Sequence, residues 1–391
     1  MHEAVIKESI IDEKNGILIY RGNYFEIGSA FLEILNILKS NESKIKTLEC
    51  LKFKYNIADD ECIALLADVE DLLHKIEGDT QKKPSRYIKN GIIILNSTLV
   101  RFIASIFQFL YNKFAFSFSL LLIIISHVFF FIHKGEIVQN VLIEISSVDI
   151  LLYYLLAICA LLFHEVGHAA ASSSWGVKPH EIGFGFYFIF PVFYSNVNDI
   201  WKIDRWKRIS VNFGGIYFQT ISNSILICIL FLSGLNTDSL TVRILYKVIN
   251  VNFAVILFSL TPFFRNDGYW IYSDFFKLPN LLLKSDSLIV NIFSLNYLKR
   301  LKLNQTYLQV FALYIFTLGN WLFRLGIIFF MLKLLPNTIL DVVKLFDEGA
   351  WKFFEVFRLV VKLSLITMGL YFQGKNIVLI LFFKSSANDG I

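Results

Sequence analysis

The sequence predicts a mainly α-helical, polytopic membrane protein with a small α+β, winged-helix-like domain at its N-terminus. Three observations predict it. Hydrophobic residues make up 55% of the 391 and charged residues only 18%, with a mean hydropathy of +0.58, a balance that excludes an ordinary soluble globule. The apolar residues gather into about six runs long enough to cross a bilayer. Charge is unevenly spread: residues 1–80 hold 9 Lys/Arg against 16 Asp/Glu, net −7, whereas the rest holds 28 against 16, net +12. The basic surplus flanks apolar runs, where membrane lipid and the positive-inside bias account for it. The acidic N-terminal part lacks the cations that phosphate neutralisation needs, so no nucleic-acid partner is expected.

Residues 1–80 read as one small domain. Ile17–Tyr20 and Asn23–Ile27, separated by Arg21-Gly22, predict a β-hairpin. Three helices follow: Ser29–Lys39, with Phe31, Ile34, Leu35 and Leu38 on one face; Lys44–Tyr55; and Asp59–Ile76, with a stripe of Ile63, Leu66, Val69, Leu72, Leu73 and Ile76. Residues 81–113 form a connection. Gly78–Asn90 is polar and basic and carries Pro84, and Gly91–Tyr111, interrupted by Asn96, Ser97, Thr98 and Arg101, is expected to be an interfacial or re-entrant helix. Residues 114–391 hold the spans: Phe114–Ile132, Ile150–Ser172, Ile209–Leu232, Ile244–Pro262, Tyr307–Leu335 and Phe353–Tyr371. The first has 19 residues, about 28 Å at 1.5 Å per residue, enough to cross. The fifth is long, and Gly319, Asn320 and Arg324 within it suggest a break, a kink or two crossings.

Basic residues set the orientation. Loop 173–208 carries Lys178, Lys202, Arg205, Lys207 and Arg208, and loop 263–306 carries Arg265, Lys277, Lys284, Lys299, Arg300 and Lys302; the opposite loops share four. Both rich loops and both termini are therefore expected in the cytosol of a multi-pass cell-membrane protein. Met1–Gly16 is polar and acidic, unlike a signal peptide. The cysteines, Cys50, Cys62, Cys159 and Cys228, show no CxxC spacing and read as small buried side chains in a reducing compartment.

The chemistry is carried by His164-Glu165-Val166-Gly167-His168, at the end of the apolar run Leu151–Phe163. On a helix this spacing sets two imidazoles on one face, able to share one Zn²⁺, while the Glu between them faces a water to be activated. Two His and a Glu inside a span are costly, which points to a functional site, metal-assisted peptide hydrolysis in the bilayer. A catalytic zinc needs a third protein ligand. An HxxGxxH continuation is absent, since Ala171 and Ser174 stand at its Gly and His positions. His180 and Glu181 follow closely and are candidates. Asp267, in Thr261–Trp270 (TPFFRNDGYW), is a better one: it closes an apolar helix at the depth of His168, where Pro262 breaks the helix and Gly268 lets the backbone bend. The plain alternative is an Asp-Gly turn.

HEVGH in a span, then the Gly/Phe/Pro-rich loop Gly183–Tyr194 (GFGFYFIFPVFY), then NDIWKIDRWKR, Gly214-Gly215 and NDGYWIYSDFFKLPNL from Asn266, resemble the site-2 protease family of intramembrane zinc metalloproteases, in its peptide zinc metalloprotease branch. Residues 1–80 are similar to PqqD-like domains, which recognise leader peptides. The resemblance implies zinc held by His164, His168 and Asp267, with Glu165 as catalytic base. The Phe-rich loop 183–194, which alternates imperfectly with Pro191 at a bend, is expected to offer an edge strand that holds an extended substrate, the alternative being an interfacial hairpin anchored by aromatics. The implied substrate is a ribosomally made, modified peptide whose leader binds residues 1–80. Regulatory cleavage of a membrane-bound signalling protein, or non-catalytic peptide binding or export, are the other readings. The chain departs from the family at Ser259-Leu260-Thr261-Pro262, where NLNP is usual, at Asn266, where Leu is usual, and at Gly215, where Pro is frequent.

Overall fold

The computed structural model describes residues 3–12, 17–20, 23–27, 29–40, 49, 51–53, 58–81, 88–138, 147–187, 190–233, 240–295, 305–348 and 353–378. The chain falls into two units, Met1–Phe258 and Ser259–Ile391, taken here in turn.

The first unit opens with helix α1 (Glu3–Glu8), strands β1 (Ile10–Asp12), β2 (Ile17–Tyr20) and β3 (Asn23–Glu26), and helices α2 (Ser29–Ser40) and α3 (Asp59–Gln81). The strands form an antiparallel sheet in the order β1-β2-β3, with Ile10 opposite Ile19 and Ile17 opposite Glu26. Alternation along β2 turns Leu18 and Tyr20 inward, and both are fully buried. They meet Leu32, Leu35 and Leu38 of α2 and Leu66, Val69, Leu73 and Ile76 of α3 in one core. The predicted hairpin and the first and third helices are present, with α3 extending past Ile76 to Gln81. Strand β1, too short and charged to register in the sequence, is an addition. Ile63 lies outside the stripe, 57% exposed, and Cys62 takes the buried place one residue earlier. Positions 62, 66, 69, 73 and 76 alternate steps of four and three, which keeps them on one face. The predicted helix Lys44–Tyr55 lies mostly outside the described residues.

Next come strand β4 (Ile88–Leu95), helix α4 (Ser97–Phe107), a 3₁₀ turn (Gln108–Tyr111), α5 (Lys113–Val138) and α6 (Ser147–Ser174). A hairpin of β5 (Ile182–Tyr187) and β6 (Phe190–Ser195), a second 3₁₀ turn (Asn198–Lys202), α7 (Arg205–Leu232) and α8 (Leu240–Leu260) follow. The expectation of one apolar helix over Gly91–Tyr111 is corrected: its first part is strand. Residues 92–94 are three isoleucines, β-branched and suited to a pleated strand. Asn96 then caps α4, its side chain accepting from the Leu99 amide at 3.0 Å. Strand β4 pairs with β5, which also pairs with β6, so β5 is central in a three-stranded antiparallel sheet. The segment expected to be a connection is therefore built into the same sheet as the Phe-rich hairpin.

The second unit holds α9 (Asp267–Phe276), α10 (Leu281–Val290), α11 (Tyr307–Glu348) and α12 (Phe353–Val378). Helix α11 does not stop before Pro336 as the sequence suggested. It runs unbroken for 42 residues, roughly 63 Å at 1.5 Å per residue, about twice the thickness of a bilayer's hydrocarbon core. Its polar residues have local reasons. A Cβ on Gly319 would lie 2.8 Å from the Phe263 ring. Arg324 pairs with Asp286 of α10 at 3.3 Å, both side chains nearly buried. Among the described helices, five are long and apolar enough to cross a membrane: Lys113–His133, Leu151–Ser174, Arg205–Leu232, Thr241–Leu260 and Tyr307–Lys344. The sixth predicted span is helical, as α12, but Glu355, Arg358 and Lys362 thin its apolar run, and Lys362 pairs with Asp341 of α11 at 3.0 Å.

Candidate metal centre

The HExxH residues lie on α6, and the helical period stacks His164 over His168 with ring centroids 4.9 Å apart. Both rings are buried and both are held by α7. The Nδ1 of His168 donates to the Val211 carbonyl at 2.8 Å, and the Nδ1 of His164 lies 3.0 Å from Oε1 of the fully buried Gln219. A carbonyl oxygen only accepts, so each Nδ1 carries the proton and each neutral ring presents its lone pair at Nε2. Those two Nε2 atoms are 3.2 Å apart. Two lone pairs facing at that distance repel unless a cation or a proton lies beside both. Orientation of imidazoles through Nδ1 is the usual outer support of metal-binding histidines.

Gly215 supplies the space. A Cβ built there would fall within 3.0 Å of both the His164 and His168 Nε2 atoms. At the preceding residue, a Cβ on Gly214 would meet the Gly167 carbonyl at 2.7 Å, the Tyr111 hydroxyl at 2.8 Å and Ala171 at 2.9 Å. The glycines thus let α6 and α7 approach closely, as small residues do in membrane helix pairs. Tyr111 closes the contact by donating to the Gly167 carbonyl at 3.1 Å. Burial, with Tyr217 beside it, pushes the Tyr111 phenol up, so it stays a neutral donor.

Glu165, half-buried, sits between the histidines in sequence, one residue after His164 and three before His168. Asp267 is the first residue of α9, where a carboxylate complements the helix dipole. Asn266 caps that helix, its side chain accepting from the Tyr269 amide at 3.4 Å. Gly268 has no left-handed backbone. A Cβ there would lie 2.9 Å from the Ser259 carbonyl and closer still to that of Leu260, so glycine serves close approach, not the bend the sequence suggested. His164, His168 and Asp267 each offer one ligand atom, and these atoms lie within 4.8 Å of one another, a group that could hold a metal ion. Two imidazoles and a carboxylate suit zinc. The alternatives from the sequence are used elsewhere. His180 Nε2 is 3.2 Å from Asp199, and Glu181 accepts from the Asn196 amide at 2.9 Å, so both fasten the base of the β5–β6 hairpin.

Two contributors were missed in the sequence: Gln219 and the Val211 carbonyl. A glutamine inside an apolar run was the available signal for the first; a backbone carbonyl leaves none. In the sheet, the Tyr194 ring covers Gly91 of β4 and Gly183 of β5, since a Cβ would lie 3.0 Å from its hydroxyl at Gly91 and 2.5 Å from it at Gly183.

Comparison with known proteins adds one relationship. The chain is 27% identical over 130 residues to the Bacillus subtilis (strain 168) protein YydH, provisionally named a peptide zinc metalloprotease. The match covers 33% of this chain and 48% of YydH, so the chain spans about half the length of that relative. No family model matches the chain, and no solved structure matches it.

Proposed function

We propose that this chain is a zinc endopeptidase that cuts peptide bonds within the membrane, maturing a ribosomally made peptide. One observation carries the reading: an HExxH pair on an apolar helix, each Nδ1 held by α7 and the two Nε2 atoms 3.2 Å apart over a glycine. The distant similarity to a protein named as a peptide zinc metalloprotease agrees with it.

In this reading His164, His168 and Asp267 hold the metal. Zinc, when bound, supplies a Lewis acid that polarises the scissile carbonyl and lowers the pKa of a water to about 7. Glu165 takes the proton of the attacking water and passes it to the leaving amine. The buried rings, each fixed through its Nδ1, keep the ligand geometry rigid, and an outer strand of the β4-β5-β6 sheet holds the substrate extended so that its carbonyl is presented. In the N-terminal domain, β1 and β3 are the outer strands of the described sheet, and a leader peptide adds beside one of them by main-chain hydrogen bonds.

The test uses the purified chain and a membrane-inserted peptide substrate. About one zinc per chain is expected. Glu165→Gln keeps the metal and loses cleavage, whereas His164→Ala, His168→Ala and Asp267→Ala lose both. Full zinc content and full cleavage in Asp267→Ala would remove Asp267 from the ligand set, and cleavage by Glu165→Gln at the parent rate would end the proteolytic reading.

A further inference from the structure

We propose that the interior of the α5–α7–α8 bundle, on the side of His164 away from the basic start of α7, is a binding site for ordered water. Polar atoms gather there that the proposed hydrolysis does not use. Gln219 and Asn223 follow one another at a helical turn on α7, both 0% exposed, and Asn252 on α8 is 2% exposed. The Gln219 Nε2, both amide atoms of Asn223, the Asn252 Nδ2 and the Nε2 of His127 on α5 are buried with no protein hydrogen-bond partner.

The packing brings them to one place. Leu226, Ile227 and Leu230 of α7 meet Leu245, Val248 and Ile249 of α8 and Phe130 of α5 in a single apolar cluster. Asn223 lies one turn before Ile227, and Asn252 one turn after Val248, on the same faces. The two helices run in opposite directions, so the asparagines come level. On the third side, His127 Nδ1 is 2.8 Å from the Ile123 carbonyl and 3.4 Å from the Ser224 hydroxyl, next to Asn223 in sequence. The His127 ring stands edge-on to Phe253, next to Asn252, at 5.1 Å. A polar group buried in an apolar surround without a hydrogen bond is destabilising, because its lost hydration is not replaced. Five such atoms in one neighbourhood are what internal waters satisfy, each making two to four hydrogen bonds. The atoms include donors and at least one acceptor, which suits water and no ion of either sign. At the near end the water string meets Gln219, whose other amide atom faces His164, so it fixes the amide that orients the metal-binding ring.

Hydroxyl-radical footprinting by radiolysis, read by mass spectrometry on the full chain in lipid nanodiscs, tests this without reading metal or cleavage. Radicals arise from water, so half-buried rings such as His127 and Phe253, which border acyl chains in the nanodisc, are modified only where bound water lies beside them. His127 and Phe253 should be modified several-fold faster than the fully buried Phe218, and Asn223→Leu combined with Asn252→Leu should bring His127 down to the Phe218 rate. Equal rates for His127 and Phe218 in the parent chain, or parent-level His127 modification in the double variant, would overturn the proposal. Should the double variant fail to fold, the parent-chain ratio decides by itself.

Discussion

At the residue scale, a missing methyl group governs whether the two histidines can share a ligand. Gly215 faces both Nε2 atoms, and a Cβ there would lie 2.5 Å from that of His164 and closer still to that of His168, crowding the space between them. Gly215→Ala should therefore weaken zinc binding by at least about tenfold, the size of effect seen when the support of metal ligands is disturbed. Gly326→Ala is the control: nothing lies within 4 Å of its Cβ position, so zinc affinity should be unchanged. Metal content after titration with a competing chelator checks both. Gln219 acts one bond further out. Gln219→Leu removes the oxygen 3.0 Å from His164 Nδ1 and should cost about 10–100-fold in zinc affinity, with Gln219→Glu recovering part of it. Unchanged affinity in Gln219→Leu would mean that the ring is oriented by packing alone.

At the element scale, α10 and α11 are joined by a charge pair where the sequence suggested a broken span. Asp286 and Arg324 are nearly buried, so removing one partner leaves the other desolvated without its counter-charge. Arg324→Leu should destabilise by about 3–5 kcal/mol, and adding Asp286→Leu should return most of that, because two apolar side chains replace a buried pair at little net cost. Thermal unfolding in detergent distinguishes the two. A double variant no more stable than the single one would show that the pair contributes nothing beyond packing. The fifth span was hard to read because a charged side chain in an apolar helix signals either a break or a distant partner. Asp286, 38 positions earlier, cannot be assigned as that partner from spacing alone.

At the scale of the whole molecule, orientation follows from the basic loops. Reporter fusions near residue 80 and at the C-terminus should give cytosolic signals, and a fusion at Asn236 an external one. An external C-terminus would mean that α12, with its three early charges, lies at the interface and does not cross. The acidic N-terminal domain adds a second expectation. Its net −7 favours a basic partner, so binding of a co-encoded leader peptide to residues 1–80 should weaken as salt rises. Deleting the domain should slow cleavage of the full precursor and leave zinc content unchanged.

The sequence by itself determined the class of the molecule and set His164 and His168 on one face of a single helix. Apolar runs near 20 residues can only be membrane helices or buried core, and the HExxH spacing acts through the helical period alone. The β5–β6 hairpin, the β2–β3 hairpin and α3 were legible for the same reason: their signals are periodic and local. Tertiary structure decided what depends on distant partners. Residues 88–95 became a strand because β5 offered an edge to pair with, and no local pattern records that. Gly215 and Gln219 acquired their roles only because α7 crosses α6 at a pair of glycines, which sets side chains about 50 residues apart in contact. Gly268 showed the same rule, needed for the approach of the Leu260 carbonyl and not for a turn. Secondary structure follows from short-range sterics and hydrogen bonding, whereas a site is completed by close packing between helices, whose contacts are chosen by shape after the helices exist.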